Sequence, residues 1–346
     1  MLDMPRSTQA LLAALGHARP GPAVDIGSHE GAIARHHGCP YIHVDLTAVE
    51  AARRAGAAEV VHTDELPPGP FATAFFDARE YDPGLAAETV AQVAVRLRPD
   101  GVLITTARLA DVEPLFAAVT SSGEALVARE PVAAGLPTEP WPTYNTQFQG
   151  QSYHFQSAPG VFSPRALDEG TLHMLEEIRP TPGARFLDLG CGVGVVSRIA
   201  SEAWGCQVTA TDVNARALRL TASNAPGVDV VASNGFTALH GREYDIIASN
   251  PPYHTDFGVA KSFIEGAHRH LVLGGSLYLV VKRADWYIQK TRSTFGGCRF
   301  VERSGYTIVI AEKRERKPAP ADAEPPTTRK HARRQAEAAM RKRKRP

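Results

Sequence analysis

The sequence predicts an α/β protein of two tandem domains, each a mostly parallel, doubly wound sheet, followed by a disordered basic C-terminal tail. Three observations lead there. Strand-like and helix-like runs alternate along the chain, the pattern of parallel sheets with right-handed crossovers. One order of landmarks occurs twice. The segment Thr327 to Pro346 holds nine Lys/Arg and one acid, Glu337. With 346 residues the chain has room for two separate cores.

The elements follow in order. The run Thr8 to His17 is short and Ala/Leu-rich, and reads as a core helix rather than a signal segment. "AVDIGSHEGAIA" (23–34) is a strand, a tight Gly turn and a helix start, and "YIHVDLTAVEAARRAG" (41–56) is a strand ending at Asp45, then a helix. "FATAFFDARE" (71–80) is a strand that meets Asp77, and "RLRPDGVLITTA" (96–107) is a helix end, a turn and a strand. "REPVAAGLPTEPWPT" (129–143) is Pro-rich and reads as a linker. The order then repeats in "RFLDLGCGVGVVSRIA" (185–200), "QVTATDVNARALRLTASNA" (207–225), "YDIIASNPPY" (244–253) and "HLVLGGSLYLVVK" (270–282). Pairing Asp25 with Asp188, Asp45 with Asp212, Asp77 with Asn250 and Gly101 with Gly275 gives slowly growing separations, as duplication with loop insertions would. The expected boundaries are a first domain at 1–135, a linker at 136–160, a second domain at 161–316 and a tail at 317–346.

Composition narrows the class. No apolar run reaches membrane-spanning length. Cys39, Cys191, Cys206 and Cys298 are scattered, without a Cys-x-x-Cys or a His at metal spacing, so reduced thiols in a cytoplasmic protein are expected, with no metal site. The net charge of +1 hides an asymmetry: of 38 basic and 37 acidic residues, 29 and 36 lie before Thr327. A mildly acidic body carries a strongly basic tail behind a Pro/Ala spacer, "KPAPADAEPPTT". Such tails meet polyanions, and nucleic acid is the expected partner.

Two motifs carry chemistry. In "FLDLGCGVG", Phe186 to Leu189 reads as a strand, with Gly190, Gly192 and Gly194 turning into a helix whose first amides are open to a ligand. The spacing is Gly-x-Gly-x-Gly, not the dinucleotide Gly-x-Gly-x-x-Gly. Asp188 would repel a pyrophosphate and suits a ligand with an ammonium group. Asp212, ending the next strand, can accept from both hydroxyls of a ribose, a feature that NAD sites share. In "YDIIASNPPYHTDFG" (244–258), Pro251 and Pro252 cannot extend the strand, so Asn250 sits on a stiff turn at its carboxyl end, where open α/β sheets hold ligands.

"LDLGCGVG", the strand-end Asp212 and "SNPPY" together resemble a class I S-adenosylmethionine-dependent methyltransferase that modifies a planar nitrogen, built on a Rossmann-like fold. "SAPGVFSPRALDEGTLHMLEEI" (157–178) and "ASNGF" narrow the resemblance to the bacterial ribosomal RNA guanine N2-methyltransferases, which are tandem methyltransferase-like domains with only the second active. It covers residues 150–312 in motif detail and 20–110 in architecture. The basic tail is not part of that pattern. The resemblance implies S-adenosyl-L-methionine as cofactor, with its methionine end on the loop from Gly190 through Cys191 and Gly192 to Gly194, near Asp188. Its ribose would lie on Asp212 beside Val213, and its adenine near Ser233 and Asn234. Phe162 of "GVFS" would stand nearest the cofactor, and Asn250 would border it. The catalytic turn would be Asn250, Pro251, Pro252 and Tyr253: two carbonyl groups accept from the target amine and Tyr253 stacks on the base. Positioning carries most of such a reaction. The implied partner is RNA, in ribosomal RNA or a ribosomal subunit, met by a monomer.

Other readings remain at this level. Asn-Pro-Pro-Tyr also suits adenine N6, cytosine N4 or a protein glutamine amide, since all present a planar NH2. A non-catalytic RNA-binding or ribosome-assembly protein could keep the fold alone. In the first copy the loop reads "DIGSHEGAI" and the turn "FFDARE", so that half is expected to keep the fold, crowd its loop with His29-Glu30 and lose the chemistry. The aromatics Trp141, Tyr144, Phe148, Tyr153 and Phe155 are expected to pack over the cofactor cleft.

Overall fold

Parallel strands covered on both faces read as near-continuous apolar runs, and the central strands of this chain do so apart from single polar residues such as Asp25, Thr73 and Asp188. A computed structural model of the protein describes residues 4–132, 141–251 and 257–315. The first half begins with β1 (Ala23–Ile26), β2 (Tyr41–His43), β3 (Val60–His62), β4 (Phe71–Phe76) and β5 (Leu97–Thr105). Every residue of β1 and β4 is buried. β6 (Phe116–Ser122) and β7 (Ala125–Pro131) add an antiparallel hairpin, giving the order β3-β2-β1-β4-β5-β7-β6. A separate hairpin follows, β8 (Thr143–Phe148) and β9 (Gln151–Gln156).

The second half repeats the first. β10 (Arg185–Leu189), β11 (Gln207–Asp212), β12 (Asp229–Ala232), β13 (Tyr244–Ser249), β14 (Leu271–Val281), β15 (Arg299–Arg303) and β16 (Tyr306–Glu312) form a sheet of order β12-β11-β10-β13-β14-β16-β15. The two orders are the same. Only β15 and β16 run antiparallel to their neighbours there, as β6 and β7 do in the first sheet. The predicted tandem, mostly parallel architecture is therefore present. The chain up to Lys313 forms one compact unit and Arg314 onward another, of which only residues 314 and 315 are described. The basic tail lies outside the described residues.

Three hairpins escaped the sequence reading. In β8–β9 and β15–β16 the connection is two residues long, Gln149-Gly150 and Ser304-Gly305, with positive φ at both positions (50° and 81°; 47° and 81°). Those angles define the mirror-image turn that matches strand twist. The segment 136–160, expected as a linker, thus contains a packed hairpin. Its inward residues Tyr144, Phe148, Tyr153 and Phe155 are buried in one cluster with Phe186 and Ile199. Most of these aromatics build core instead of covering the cleft; Tyr144 alone of the four also lines it.

The halves meet through two strand-end turns. Leu46 N–H donates to Val213 O and Ala215 N–H to Val44 O, both at 2.8 Å, and His62 Nε2 stands 2.9 Å from the carbonyls of Val44 and Val213. Beside them Arg216, 0% exposed, reaches across the junction. Its guanidinium donates to both carboxylate oxygens of Glu88 (2.8 and 2.9 Å), to Asp64 (3.1 Å) and to Pro159 O (3.1 Å). The Trp141 ring centroid lies 5.1 Å from its Cζ. This junction fixes the residues that follow Asp212.

Candidate active site

The carboxyl ends of β10, β11 and β13 open on a cavity of about 480 Å³. The strand order reverses at β10, so this is the crevice where doubly wound sheets bind ligands. Phe162, Asp188, Gly190, Cys191, Gly192, Asp212, Val213, Ser233, Asn234 and Asn250 all line it. The sequence reading brought these ten residues together, and the fold does too. Gly194 is not in the lining. A Cβ there would lie 3.0 Å from the Cα of Thr221, so this glycine lets two helices approach closely. Pro251 is buried behind the turn, and Pro252, Tyr253 and His254 lie outside the described residues. Asp45 and Thr47 from the first half complete the wall, which no motif in the sequence announced.

The glycine turn differs from the expectation in one respect. Its amides are not open to a ligand: Gly190 and Cys191 N–H donate to Thr211 O (2.8 and 2.9 Å), and Gly192 N–H to Asp212 Oδ2 (3.0 Å). A phosphate nest needs unpaired N–H groups, and here the first three are used. What the turn offers is room. At Gly190 (φ 82°) and Gly192 (φ 56°) a Cβ would meet nothing within 4 Å, so the space a side chain would fill is left to a ligand.

The carboxylates suit a cationic nucleoside. Asp188 Oδ2 accepts from Ser197 N–H (3.0 Å) and Oγ (2.6 Å), while Oδ1 has no partner among the described residues. Burial pushes its pKa up to about 7, against which the Ser197 bonds pull down. An ammonium brought alongside would favour the ionised form. Asp212 is also raised, again mainly by burial, and its oxygens accept one amide each, from Gly192 and Asn214. A carboxylate has about four acceptor positions, which leaves two for ribose hydroxyls. The cavity's residues therefore fit S-adenosylmethionine at both ends. Cys191 is buried, receives the Thr221 hydroxyl at 3.2 Å, and its thiol is held well above the usual range by burial.

Asn250 stands one residue past β13. Its Nδ2 donates to Asp168 Oδ2 (3.0 Å) and to Thr171 Oγ1 (2.9 Å), both at the N-terminus of the helix Glu169–Glu177. Asp168 is that helix's N-cap and accepts Thr171 N–H at 2.9 Å. The sequence reading quoted "ALDEGT" without giving Asp168 or Thr171 a task; Asp-x-x-Thr before a helix signals a cap and nothing more.

Sheet register shows what the first half has in these places. Asp25 pairs with Tyr41 and Phe75 as Asp188 pairs with Ala210 and Ala248. The counterpart of Asp212 is therefore His43, two residues earlier than Asp45, the partner read from sequence. His43 is buried, which lowers its pKa, so a neutral ring stands where a ribose would meet a carboxylate. Asp77 does replace Asn250, but Ser7, Thr8 and Thr106 hydroxyls all donate to it. Glu30 is exposed, and with His29 it lines the first-half cavity. Tyr81 packs against the turn as well: a Cβ on Gly27 would come within 2.8 Å of its ring. The larger cavity of about 600 Å³ lies here, and its shape and chemistry differ from those of the second half.

Fold and cavity define a class: a tandem Rossmann-like protein with an internally paired glycine turn and a strand-end Asn on one cavity. Comparison with known proteins narrows it. Residues 152–310 match the family model described as methyltransferase small domain. Two curated proteins named ribosomal RNA small subunit methyltransferase C are similar. The one from Klebsiella pneumoniae is 37% identical over 159 residues, 43% of this chain and 46% of that protein. The one from Cronobacter sakazakii is 34% identical over 183 residues, 49% of this chain and 53% of that protein. The chain spans about half the length of the curated relatives it matches. A solved T. thermophilus 16S rRNA N2 G1207 methyltransferase, in complex with AdoMet and guanosine, superposes with a TM-score of 0.77 at 21% identity, covering 90% of this chain and 92% of that one. The family resemblance and the tandem fold expected from sequence are borne out.

Proposed function

We propose that this chain is an S-adenosylmethionine-dependent RNA methyltransferase that modifies the exocyclic N2 of a guanine in ribosomal RNA. The observation that carries the reading is the meeting of the saturated glycine turn, Asp212 and Asn250 on one cavity. S-adenosylmethionine, when bound, supplies a methyl group on a sulfonium. Asp212 would hold its ribose, Asp188 its ammonium, and the roomy Gly190–Gly192 turn its methionine chain. An exocyclic amine is a poor nucleophile because its lone pair is delocalised into the ring. Asn250 Oδ1 and the Pro251 carbonyl would accept its hydrogens and aim the lone pair. The similar proteins named for ribosomal RNA support an RNA substrate, and the T. thermophilus protein named for N2 of a guanine supports that amine over the other planar amines.

The test is incubation of the full chain with methyl-labelled cofactor and small-subunit RNA, followed by nucleoside mass spectrometry. N2-methylguanosine is expected. Label in N6-methyladenosine, N4-methylcytidine or protein would overturn the guanine assignment, and no transfer at all would overturn the enzyme. Asp212→Ala should weaken cofactor binding by about 1.5–3 kcal/mol, the range for hydrogen bonds to a charged acceptor; unchanged affinity in calorimetry would exclude the ribose role.

On this reading the first half, about residues 1–135, is a partner domain without cofactor. Calorimetry on the full chain is expected to give one cofactor per chain; two would refute it. The basic segment 317–346 is read as a phosphate contact of a monomeric, cytoplasmic enzyme. Its removal should lower the slope of log affinity against log salt by roughly 3, four or five contacts at about 0.7 each. An identical slope would make it a solubility appendage, and a dimer in sedimentation would exclude the monomer.

A further inference from the structure

The helix before each sheet reaches over the end of the fourth strand, and the two copies do so with opposite hydrogen-bond polarity. In the first half Ser7 and Thr8 of the helix Arg6–Ala13 donate to the Asp77 carboxylate at 2.8 and 2.6 Å. In the second half Asn250 Nδ2 donates to Thr171 and Asp168 at 2.9 and 3.0 Å. Thr8 and Thr171 stand the same distance ahead of Asp25 and Asp188, so they are one position in two copies. The contact has been kept while its direction has been reversed.

We propose that Asp168 and Thr171 are positioning residues that set which way the Asn250 amide faces. The proposal rests on the functional reading above. An Asn amide has two ends of similar size, and only its surroundings decide which is the carbonyl. Two acceptors on one side admit the NH2 end there and turn Oδ1 to the opposite side. That is the orientation an amine substrate requires, since an NH2 aimed at it would repel its hydrogens. In the first half the three side chains around Asp77 are hydroxyl donors, which would accept either end of an amide, and the Arg79 N–H joins them at 3.4 Å. The third hydroxyl, Thr106, is replaced in register by the apolar Val280.

A second contact braces the pair. Tyr306, at the start of β16, places its hydroxyl 3.3 Å from Asp168 Oδ1, and the Lys282 ammonium lies 5.0 Å from its ring centroid. A Cβ on Gly170 would come within 2.4 Å of that ring. Glycine at this position is what lets the Tyr306 ring pack against the cap. "LDEGT" therefore reads as cap, clearance and acceptor in five consecutive residues.

The experiment compares Thr171→Val, Thr171→Ser, Asp168→Asn and Asn250→Ala in the full chain, with labelled cofactor and small-subunit RNA. Valine keeps the volume and removes the acceptor; asparagine keeps a cap and can donate to Oδ1, allowing the amide to turn. Both are expected to lower kcat by about 10–100-fold, the scale of a small misplacement of a reacting group. Cofactor Kd and melting temperature should stay near native, and Thr171→Ser should recover most of the rate. Native kcat in Thr171→Val and Asp168→Asn, with Asn250→Ala inactive, would overturn this inference and leave the functional reading standing. Native kcat in Asn250→Ala would overturn the functional reading itself. Loss of cofactor binding or of stability in step with kcat, or no recovery with serine, would show a structural cap and also overturn it.

Discussion

Asn250→Ala is expected to lower methyl transfer at least about 100-fold while cofactor affinity stays within a few-fold, because positioned acceptors supply effects of that size. The reasoning separates two ends of one cavity. On the proposed reading Asp188 and Asp212 face the ammonium and the ribose of the cofactor, and their own hydrogen bonds run to Ser197, Gly192 and Asn214. Asn250 is tied instead to Asp168 and Thr171. Truncation removes the side-chain carbonyl proposed to receive the target amine and leaves the glycine turn intact. Single-turnover methylation with saturating cofactor measures it directly. A rate near that of the native chain would remove Asn250 from the chemistry.

The second large effect is on stability. Arg216→Met should lower the unfolding free energy by about 3–5 kcal/mol, the cost of leaving buried ionic partners uncompensated. Methionine fills much of the volume, so the loss is electrostatic. Glu88 would lose its cation, and Asp64, with a side chain 5% exposed, would keep only Arg219, which reaches it and Glu65 from the surface. Urea unfolding reads the change. Replacing Arg216, Asp64 and Glu88 together by apolar residues should recover most of it, because the buried charges then disappear as a set. Arg216 follows Asn214 by two residues, and Asn214 N–H donates to Asp212. Cofactor affinity is therefore expected to fall with stability in Arg216→Met. A variant as stable as the native chain would show that the Arg216 ion pairs contribute nothing to the junction.

Much of the fold was legible because its signals are local. Buried parallel strands require continuous apolar runs, and "FATAFF" or "FLDL" can be little else. Acids and Asn at strand ends, glycines at the turns and two prolines after Asn250 mark positions along the chain, and order along the chain is what a duplication preserves. The antiparallel hairpins were missed for a physical reason. β6 and β15 are half-exposed edge strands whose alternation is weak, and Ser304-Gly305 or Gln149-Gly150 is a quiet version of a turn pair.

By itself, the sequence determined the tandem α/β architecture and put Asp188, the Gly190–Gly192 turn, Asp212 and Asn250 at strand ends that meet on one cavity, while Phe162, Val213, Ser233 and Asn234 came from the family resemblance. The strand-end placements rest on residue type and on spacing within one or two elements. Tertiary structure alone decided the rest. Register made His43 the counterpart of Asp212, because pairing between strands is set by side-chain faces and not by counting residues. Packing showed Gly194 to be a helix contact and Tyr81 to be the ring against the first-half turn. The direction of the Asn250 amide depends on Asp168 and Thr171, which precede it by some eighty positions. A hydrogen bond is decided by which atoms the fold brings within about 3 Å, and no distance along a chain measures that.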